Sequence, residues 1–210
     1  MSISITIVIV IVTCLISWQG FNNRQLFNAL KHNPYEEHRD KEWYRMVSSG
    51  FLHGDVMHLG VNMYVLYTFG EFVEYEFVSH YGMMTGRLLY VLCYLLIILL
   101  ADIPSFFSKR NDPGYSAIGA SGGTSGIIMI FVLFNPWSML LLFFAIPIPA
   151  IILGVGYLAY SSWANQNSND NIDHGAHFWG AVAGIVLCII FLPESLGIFL
   201  EKVVQIPYFN

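Results

Sequence analysis

The amino-acid sequence predicts an all-α membrane protein built as a bundle of six transmembrane helices. The composition is 56% hydrophobic and only 11% charged, which is far from the balance of a water-soluble domain. A helix needs about 20 apolar residues to cross a bilayer, and the chain contains six such candidate runs. They lie near residues 3–18, 56–77, 82–103, 120–134, 138–160 and 175–193. The lipid bilayer is therefore the first partner that the sequence predicts.

The predicted spans leave room for a single domain, residues 1–210, with no internal repeat. Only the segment 20–50 is long enough to be an ordered loop. It mixes charged side chains with aromatic ones such as Trp43, and such amphipathic side chains settle at the depth of the lipid headgroups. We expect this segment to be an interfacial loop, with Trp43 and Arg45 as anchors.

The stretch 119–126 combines four glycines with two serines and leads from a polar loop into the fourth span. Ser121 stands where that loop becomes a helix, and the sixth span carries a histidine, His177, near its own start. A pair of glycines four residues apart begins within one turn after each of these two residues. The pairs are Gly122 with Gly126 and Gly180 with Gly184. Small residues at this spacing let membrane helices approach closely, so we expect Ser121 and His177 to come within hydrogen-bonding reach.

The second span places His58 and Asn62 on one face, four residues apart. Polar groups at membrane depth usually face the interior of a bundle and mark a site. A hydrogen bond that only joins two helices, worth about 1 kcal/mol, explains the pair equally well. His58, Ser121 and His177 all lie near the starts of even-numbered spans, which begin on the same membrane face. The three side chains therefore share one depth.

Five short motifs follow one another along the predicted spans, and their joint order is more specific than any one of them. The motifs are Trp43-x-Arg45, His53-x4-His58-x3-Asn62, Gly70-x3-Glu74, Gly119-x-Ser121-Gly122 and Ala176-His177-x2-Gly180-x3-Gly184. Together they resemble the rhomboid family of intramembrane serine proteases.

This resemblance implies a six-helix bundle of the rhomboid type, with Ser121 as the nucleophile and His177 as its general base. It also implies that His58 and Asn62 line an oxyanion hole. One position departs from the family pattern. The residue four after the nucleophile is often aromatic and packs on the catalytic histidine, but here it is Ser125.

The implied chemistry is physically reasonable. A serine hydroxyl becomes a good nucleophile when a neutral imidazole accepts its proton, and no third acidic member is evident, so we expect a Ser-His dyad. The backbone N–H groups of Ser121 and Ala120, at a helix N-terminus, would help to bind the oxyanion. We expect close helix packing at the site from a set of glycines: Gly119, Gly122, Gly126, Gly180 and Gly184.

Three other functions each fit part of the sequence. A soluble α/β-hydrolase needs a strand before the nucleophile, and a polar loop stands there instead. A metal site built from the histidines at 53, 58, 174 and 177 lacks a completing carboxylate, so we expect neither a metal nor another cofactor. An inactive rhomboid-like binding protein or a small transporter stays as the alternative. The presence of both Ser121 and His177 argues against it.

The resemblance thus implies an intramembrane serine endopeptidase that cleaves the transmembrane segments of single-pass membrane proteins. A helix in lipid bonds its backbone internally, so a substrate helix must unwind before it is cut. We expect an integral multi-pass protein, in the cytoplasmic (inner) membrane if the chain is bacterial, with no nucleic-acid partner. The sequence leaves the oligomeric state open.

Overall fold

The computed structural model describes residues 3–142, 145–168, 170 and 172–207, and most of these residues are helical. The helices are α1 (Ile5–Asn22), α2 (Arg24–Leu30), α3 (Pro34–Asp40), α4 (Arg45–Ser48), α5 (Val56–Tyr81), α6 (Met83–Lys109), α7 (Ser121–Phe134), α8 (Ala150–Asn167), α9 (His174–Phe191) and α10 (Glu194–Val203). Two short strands, β1 (Met139–Leu142) and β2 (Ile146–Pro149), pair antiparallel.

Three of the described helices are long and apolar enough to cross a membrane: α1, α6 and α9. Helix α7 is equally apolar but has only 14 residues. Helix α5 has 26 residues and carries three glutamates in its second half. The length and hydropathy of these helices are those of a membrane protein.

The segment 20–50 is helical where a loop was predicted. It contains the last turn of α1 and the short helices α2, α3 and α4. Asn23 and Asn33 cap α2 and α3, because their side chains accept the N–H groups of Leu26 and Glu36. The predicted position of the segment against the bilayer surface stays a prediction.

Arg45 lies inside this segment instead of reaching toward headgroups. Its side chain is buried, forms ion pairs with Glu36 and Glu42, and donates to the Asn28 carbonyl. These partners belong to α2, to α3 and to the turn before α4. Arg45 therefore joins the short helices to one another, and its predicted role as a membrane anchor is wrong.

The predicted fifth span, 138–160, is also wrong in its first half. Residues 139–142 and 146–149 form the β1–β2 hairpin, and α8 begins only at Ala150. Pro147 and Pro149 lie in β2. Proline lacks an N–H and its ring clashes with the preceding turn, so two prolines this close together disfavour a helix there. Helix α8 continues to Asn167, beyond the predicted end of the span at residue 160.

The backbones of α7 and α9 touch. A Cβ built on Gly180 would lie 2.1 Å from the Gly122 carbonyl oxygen, and one built on Gly184 would lie 2.4 Å from the Gly126 Cα. No larger residue fits at either contact without moving a backbone. A Cβ built on Gly122 would also lie 3.3 Å from the Ala176 carbonyl oxygen, and both residues belong to the first turn of their helix, so the starts of α7 and α9 lie side by side.

At the far end of α5, Glu74 joins α1 to α6. Its buried carboxylate accepts the N–H groups of Ile5 and Thr6 at 3.0 and 2.9 Å and pairs with Arg87 at 2.9 Å. The first N–H groups of a helix have no partner within the helix, and they favour a negative charge. Glu74 therefore caps the start of α1 from a neighbouring helix.

Candidate active site

Ser121 is the first residue of α7, and the chain turns sharply just before it. Gly119 has φ of 122°, a backbone conformation that residues with a side chain rarely adopt. A Cβ at this position would lie 2.9 Å from His58 Nε2 and 3.7 Å from Ser121 Oγ. Gly119 was predicted to pack helices against each other. Its lack of a side chain instead leaves space for the His58 ring near the Ser121 hydroxyl.

A cavity of about 560 Å³ opens beside this turn. Its lining includes Gly119, Ser121, His58, Asn62 and His177. Ser121 and His177 share this cavity but, within the described part of the chain, form no direct hydrogen bond with each other, contrary to the prediction. Hydrogen bonds between a nucleophile and its base are often long in ligand-free sites. Both residues therefore line one cavity.

The His177 ring lies against two aromatic rings. Tyr157 of α8 stacks on it, with ring centroids 6.2 Å apart and an interplanar angle of 24°. His174, one turn earlier on α9, meets it edge-on at 5.9 Å. The Tyr157 hydroxyl is hydrogen-bonded to Ser125 Oγ, which also donates to the Ser121 carbonyl at 2.6 Å. No sequence motif marks Tyr157, so sequence reasoning missed it.

Asp173 is the nearest acidic residue to His177 along the chain, and its carboxylate is engaged elsewhere. One oxygen caps α9 by accepting the Ala176 N–H at 2.9 Å, and the other accepts the Tyr115 hydroxyl. A carboxylate used in this way does not hold an imidazole as the third member of a triad. This geometry is compatible with a Ser-His dyad.

Asn62 is buried in the cavity wall and held by two hydrogen bonds. Its amide nitrogen donates to the His58 carbonyl at 2.9 Å, and its amide oxygen accepts the Thr124 hydroxyl at 3.1 Å. A primary amide carries two N–H donors, and the first of these bonds uses one of them. The second N–H is available to a ligand in the cavity.

Ala120 does not fit its predicted role as an oxyanion donor. Its N–H donates to His53 Nε2 at 3.3 Å. The residue is fully buried, and a buried N–H needs a partner. This bond directs the Ala120 N–H away from a reacting carbonyl. The Ser121 N–H, by contrast, is among the first of α7 and has no partner within the helix.

His53 is the second residue whose role sequence reasoning missed, although one of the motifs includes it. Burial, and then the neighbouring His58, lower the pKa of His53 to about 3, so its ring is neutral at pH 7. Because Nε2 accepts from Ala120, the proton is on Nδ1, which lies 2.9 Å from Ser17 Oγ. Ser17 in turn donates to the Phe51 carbonyl. His53 thus joins α1 to the turn before Ser121.

The four histidines considered as metal ligands separate into two pairs. His53 and His58 are ring neighbours at 4.9 Å, and His174 and His177 form the second pair. In residues 3–207, leaving out those that the structure does not describe, no three His, Cys, Asp or Glu side chains are arranged to hold a metal ion.

Comparison with known proteins gives a consistent result. A family model described as the rhomboid domain matches residues 40–194. Among curated relatives from Arabidopsis thaliana, RHOMBOID-like protein 12, mitochondrial, is 24% identical over 178 residues, which cover 81% of this chain and 53% of that protein.

Two further Arabidopsis thaliana proteins are similar to the chain. Rhomboid-like protein 11, chloroplastic, is 28% identical, with 73% of this chain and 54% of that protein covered. RHOMBOID-like protein 5 is 30% identical, with 78% of this chain and 48% of that protein covered. The chain spans about half the length of these relatives. The match of the rhomboid model over most of the sequence shows that the chain belongs to the rhomboid family.

Proposed function

We propose that this rhomboid-family protein is an intramembrane serine endopeptidase that cleaves transmembrane segments of single-pass membrane proteins. Ser121 is the nucleophile and His177 the general base. The observation that carries the proposal is their position: each lies at or within a turn of a helix start, on the wall of one cavity. The backbone contact between α7 and α9 supports this placement, because it keeps the two helix starts adjacent.

The reaction follows ordinary acyl-transfer chemistry. His177 takes the proton of Ser121 as Oγ attacks the scissile carbonyl, and then returns it to the leaving amine. A water molecule hydrolyses the acyl-enzyme by the same path in reverse order. The developing oxyanion is met by the Ser121 N–H, His58 Nε2 and the second N–H of Asn62, and all three residues line the cavity.

We propose that six helices cross the bilayer: α1, α5, α6, α7, α8 and α9. The second, fourth and sixth of them then begin on the same face, which supports a common depth for His58, Ser121 and His177. Helix α7 has 14 residues and is therefore about 21 Å long, less than the roughly 30 Å of hydrocarbon in a bilayer. Its central position among α5, α6 and α9 favours a serine recessed below the membrane surface, reached by water through the cavity.

We also propose the membrane in which the protein lies. If the chain is bacterial, we propose the inner membrane. Two of the relatives are named as mitochondrial and chloroplastic proteins, so an organelle membrane is the corresponding site in a eukaryotic cell. The partners of the protein are then the lipid bilayer and single-pass substrates.

The experiment that tests the proposed function is covalent labelling in native membranes. A fluorescent, serine-reactive electrophile should label the wild-type protein, and the label should disappear in Ser121→Ala. Ser108→Ala, which removes an exposed serine of α6, is the matched control and should label normally. A protein that binds single-pass substrates but never labels would instead be the inactive rhomboid-like binding protein.

A further inference from the structure

We infer that Tyr157 is a positioning residue for His177, and that α8 thereby sets the orientation of the proposed base. The inference rests on the proposed function, because it assigns His177 its role there. The contacts between Tyr157 and His177 do not depend on that role. Tyr157 is the residue of α8 that reaches both halves of the candidate site.

The first contact is the ring stack. The rings of Tyr157 and His177 are nearly parallel, at 24°, with centroids 6.2 Å apart. This separation lies within the range of offset-stacked aromatic pairs, which favour a defined relative orientation. A ring stacked on the face of an imidazole opposes rotation of the imidazole out of its plane. The two ring nitrogens lie at the edge of the imidazole and can still exchange protons.

The second contact fixes the Tyr157 ring itself. Ser125 Oγ donates its proton to the Ser121 carbonyl, so in its bond with Tyr157 the tyrosine hydroxyl is the donor. A chain of two hydrogen bonds thus leads from Tyr157 through Ser125 to the backbone of Ser121. Together with the stack, it links the serine of α7 to the histidine of α9 through one side chain of α8.

The backbone of α8 is close enough to α7 to support these contacts. Gly154 lies one turn before Tyr157, and a Cβ built there would be 3.3 Å from Met129 Sδ of α7. A glycine at this position lets α8 approach, and the approach brings Tyr157 within reach of Ser125.

Other neighbours of His177 do not supply this orientation. Asp173 is engaged by the Ala176 N–H and the Tyr115 hydroxyl. His174 meets the ring only edge-on and from the same helix, and its Nε2 is bonded to Asp170. Among the ring contacts of His177 in the part of the chain that the structure describes, the one with Tyr157 relates it to a different helix.

The kinetic test compares four variants in proteoliposomes with one cleaved single-pass substrate. Tyr157→Leu removes the stack and the hydroxyl, and we expect kcat to fall about tenfold to a hundredfold with KM unchanged, as for a misplaced catalytic group. Tyr157→Phe and Ser125→Ala keep both rings. The first loses the Tyr157–Ser125 hydrogen bond, and the second loses that bond and the one to the Ser121 carbonyl. Each should lower kcat about fivefold, because both remove the bond that holds the Tyr157 ring. Combined in one chain, they should cost little more than either alone, because they remove the same bond.

A spectroscopic measurement tests the geometry without requiring activity. In histidine-labelled protein in detergent, the ring current of Tyr157 should shift the His177 Cε1–H signal upfield, with His177→Gln to assign it. The shift should persist in Tyr157→Phe and vanish in Tyr157→Leu. The matched control is Tyr75→Leu, which removes an exposed tyrosine near the C-terminal end of α5. It should leave the His177 signal unchanged.

The outcomes separate the two claims. A wild-type protein that never cleaves or labels, yet shows the shift, would overturn the proposed function and leave the stack intact. An unshifted His177 signal in folded wild-type protein would overturn the inference, as would full kcat in Tyr157→Leu. If Tyr157→Leu does not fold, Ser125→Ala decides, because full kcat together with an unchanged His177 signal would contradict the anchoring of Tyr157.

Discussion

Gly180 of α9 lies so close to Gly122 of α7 that a Cβ on Gly180 would be 2.1 Å from the Gly122 carbonyl oxygen. Real Cβ atoms do not approach a carbonyl oxygen this closely, so an alanine at position 180 must push the two helices apart. Because Ser121 immediately precedes Gly122, any such separation also moves the candidate nucleophile. Stability and the geometry of the site therefore depend on the same contact.

Gly180→Ala should destabilise the fold by about 1–3 kcal/mol, the usual cost of overpacking, and should lower cleavage further than stability alone explains. The measurement is the midpoint of unfolding in mixed detergent micelles, together with kcat of the remaining folded fraction. Gly156→Ala on α8 is the control, since a Cβ there meets nothing within 4 Å. Equal effects of the two substitutions would contradict the close contact.

Asn62→Ala should lower kcat by about 10²–10³, the typical effect of removing one oxyanion donor, and leave folding largely intact. His58→Ala should act in the same direction, because its Nε2 lies beside Gly119 and His58 lines the same cavity as Ser121. Turnover is measured with a saturating single-pass substrate in proteoliposomes. Unchanged turnover in both variants would return the two residues to a role in helix packing alone.

Stability should fall as the pH decreases from about 6.5 toward 3, and His53 should account for part of the fall. Its pKa is lowered from 6.5 to about 3 in the folded protein, so within this window the unfolded chain binds a proton that the folded chain excludes. The slope from one such group is about 1.4 kcal/mol per pH unit. Above pH 6.5 the His53 ring is mostly neutral in the unfolded chain as well as in the folded one, so its titration no longer lowers the stability.

Unfolding midpoints at several pH values between 7.5 and 4.5 test this expectation. His53→Gln should show a shallower dependence on pH than the wild type, whereas His38→Gln, which removes an exposed histidine, should not. A pH dependence identical in the wild type and in His53→Gln would show that His53 is not the titrating group.

Helix-breaking residues in a substrate should speed its cleavage. A substrate helix must open several backbone hydrogen bonds before its carbonyl reaches Ser121. Each glycine contributes roughly 1 kcal/mol to that opening, and a proline contributes about 3 kcal/mol. Replacing one such glycine by leucine should therefore lower turnover about fivefold. Equal or faster cleavage of the stiffened helix would mean that unwinding does not limit the rate.

The sequence predicted the parts of the structure that depend on local spacing. The pairs Gly122/Gly126 and Gly180/Gly184 share one spacing, and the structure places them against each other. The starts of α7 and α9 follow from local signals as well: Ser121 follows a turn at Gly119, and Asp173 caps α9. Such features need only a few neighbouring residues to be recognised.

Other features depend on contacts between distant residues, and the sequence did not predict them. An apolar run such as 138–149 suits a buried helix and a strand equally well, and only its prolines favoured the hairpin. Tyr157 meets His177 because α8 packs beside both α7 and α9, a relationship without a sequence motif. Arg45 and Ala120 were misassigned because their partners, Glu36 and His53, are set by the tertiary fold.

The central claim is that Ser121 and His177 act together as nucleophile and base. The most direct measurement is the cleavage rate of one single-pass substrate in proteoliposomes by Ser121→Ala, His177→Ala and the double variant, with His38→Ala as the control. Because the two residues act as a unit, each single variant should lose all measurable cleavage and the double variant should be no worse. Substantial cleavage by either single variant, at wild-type folding, would contradict the claim.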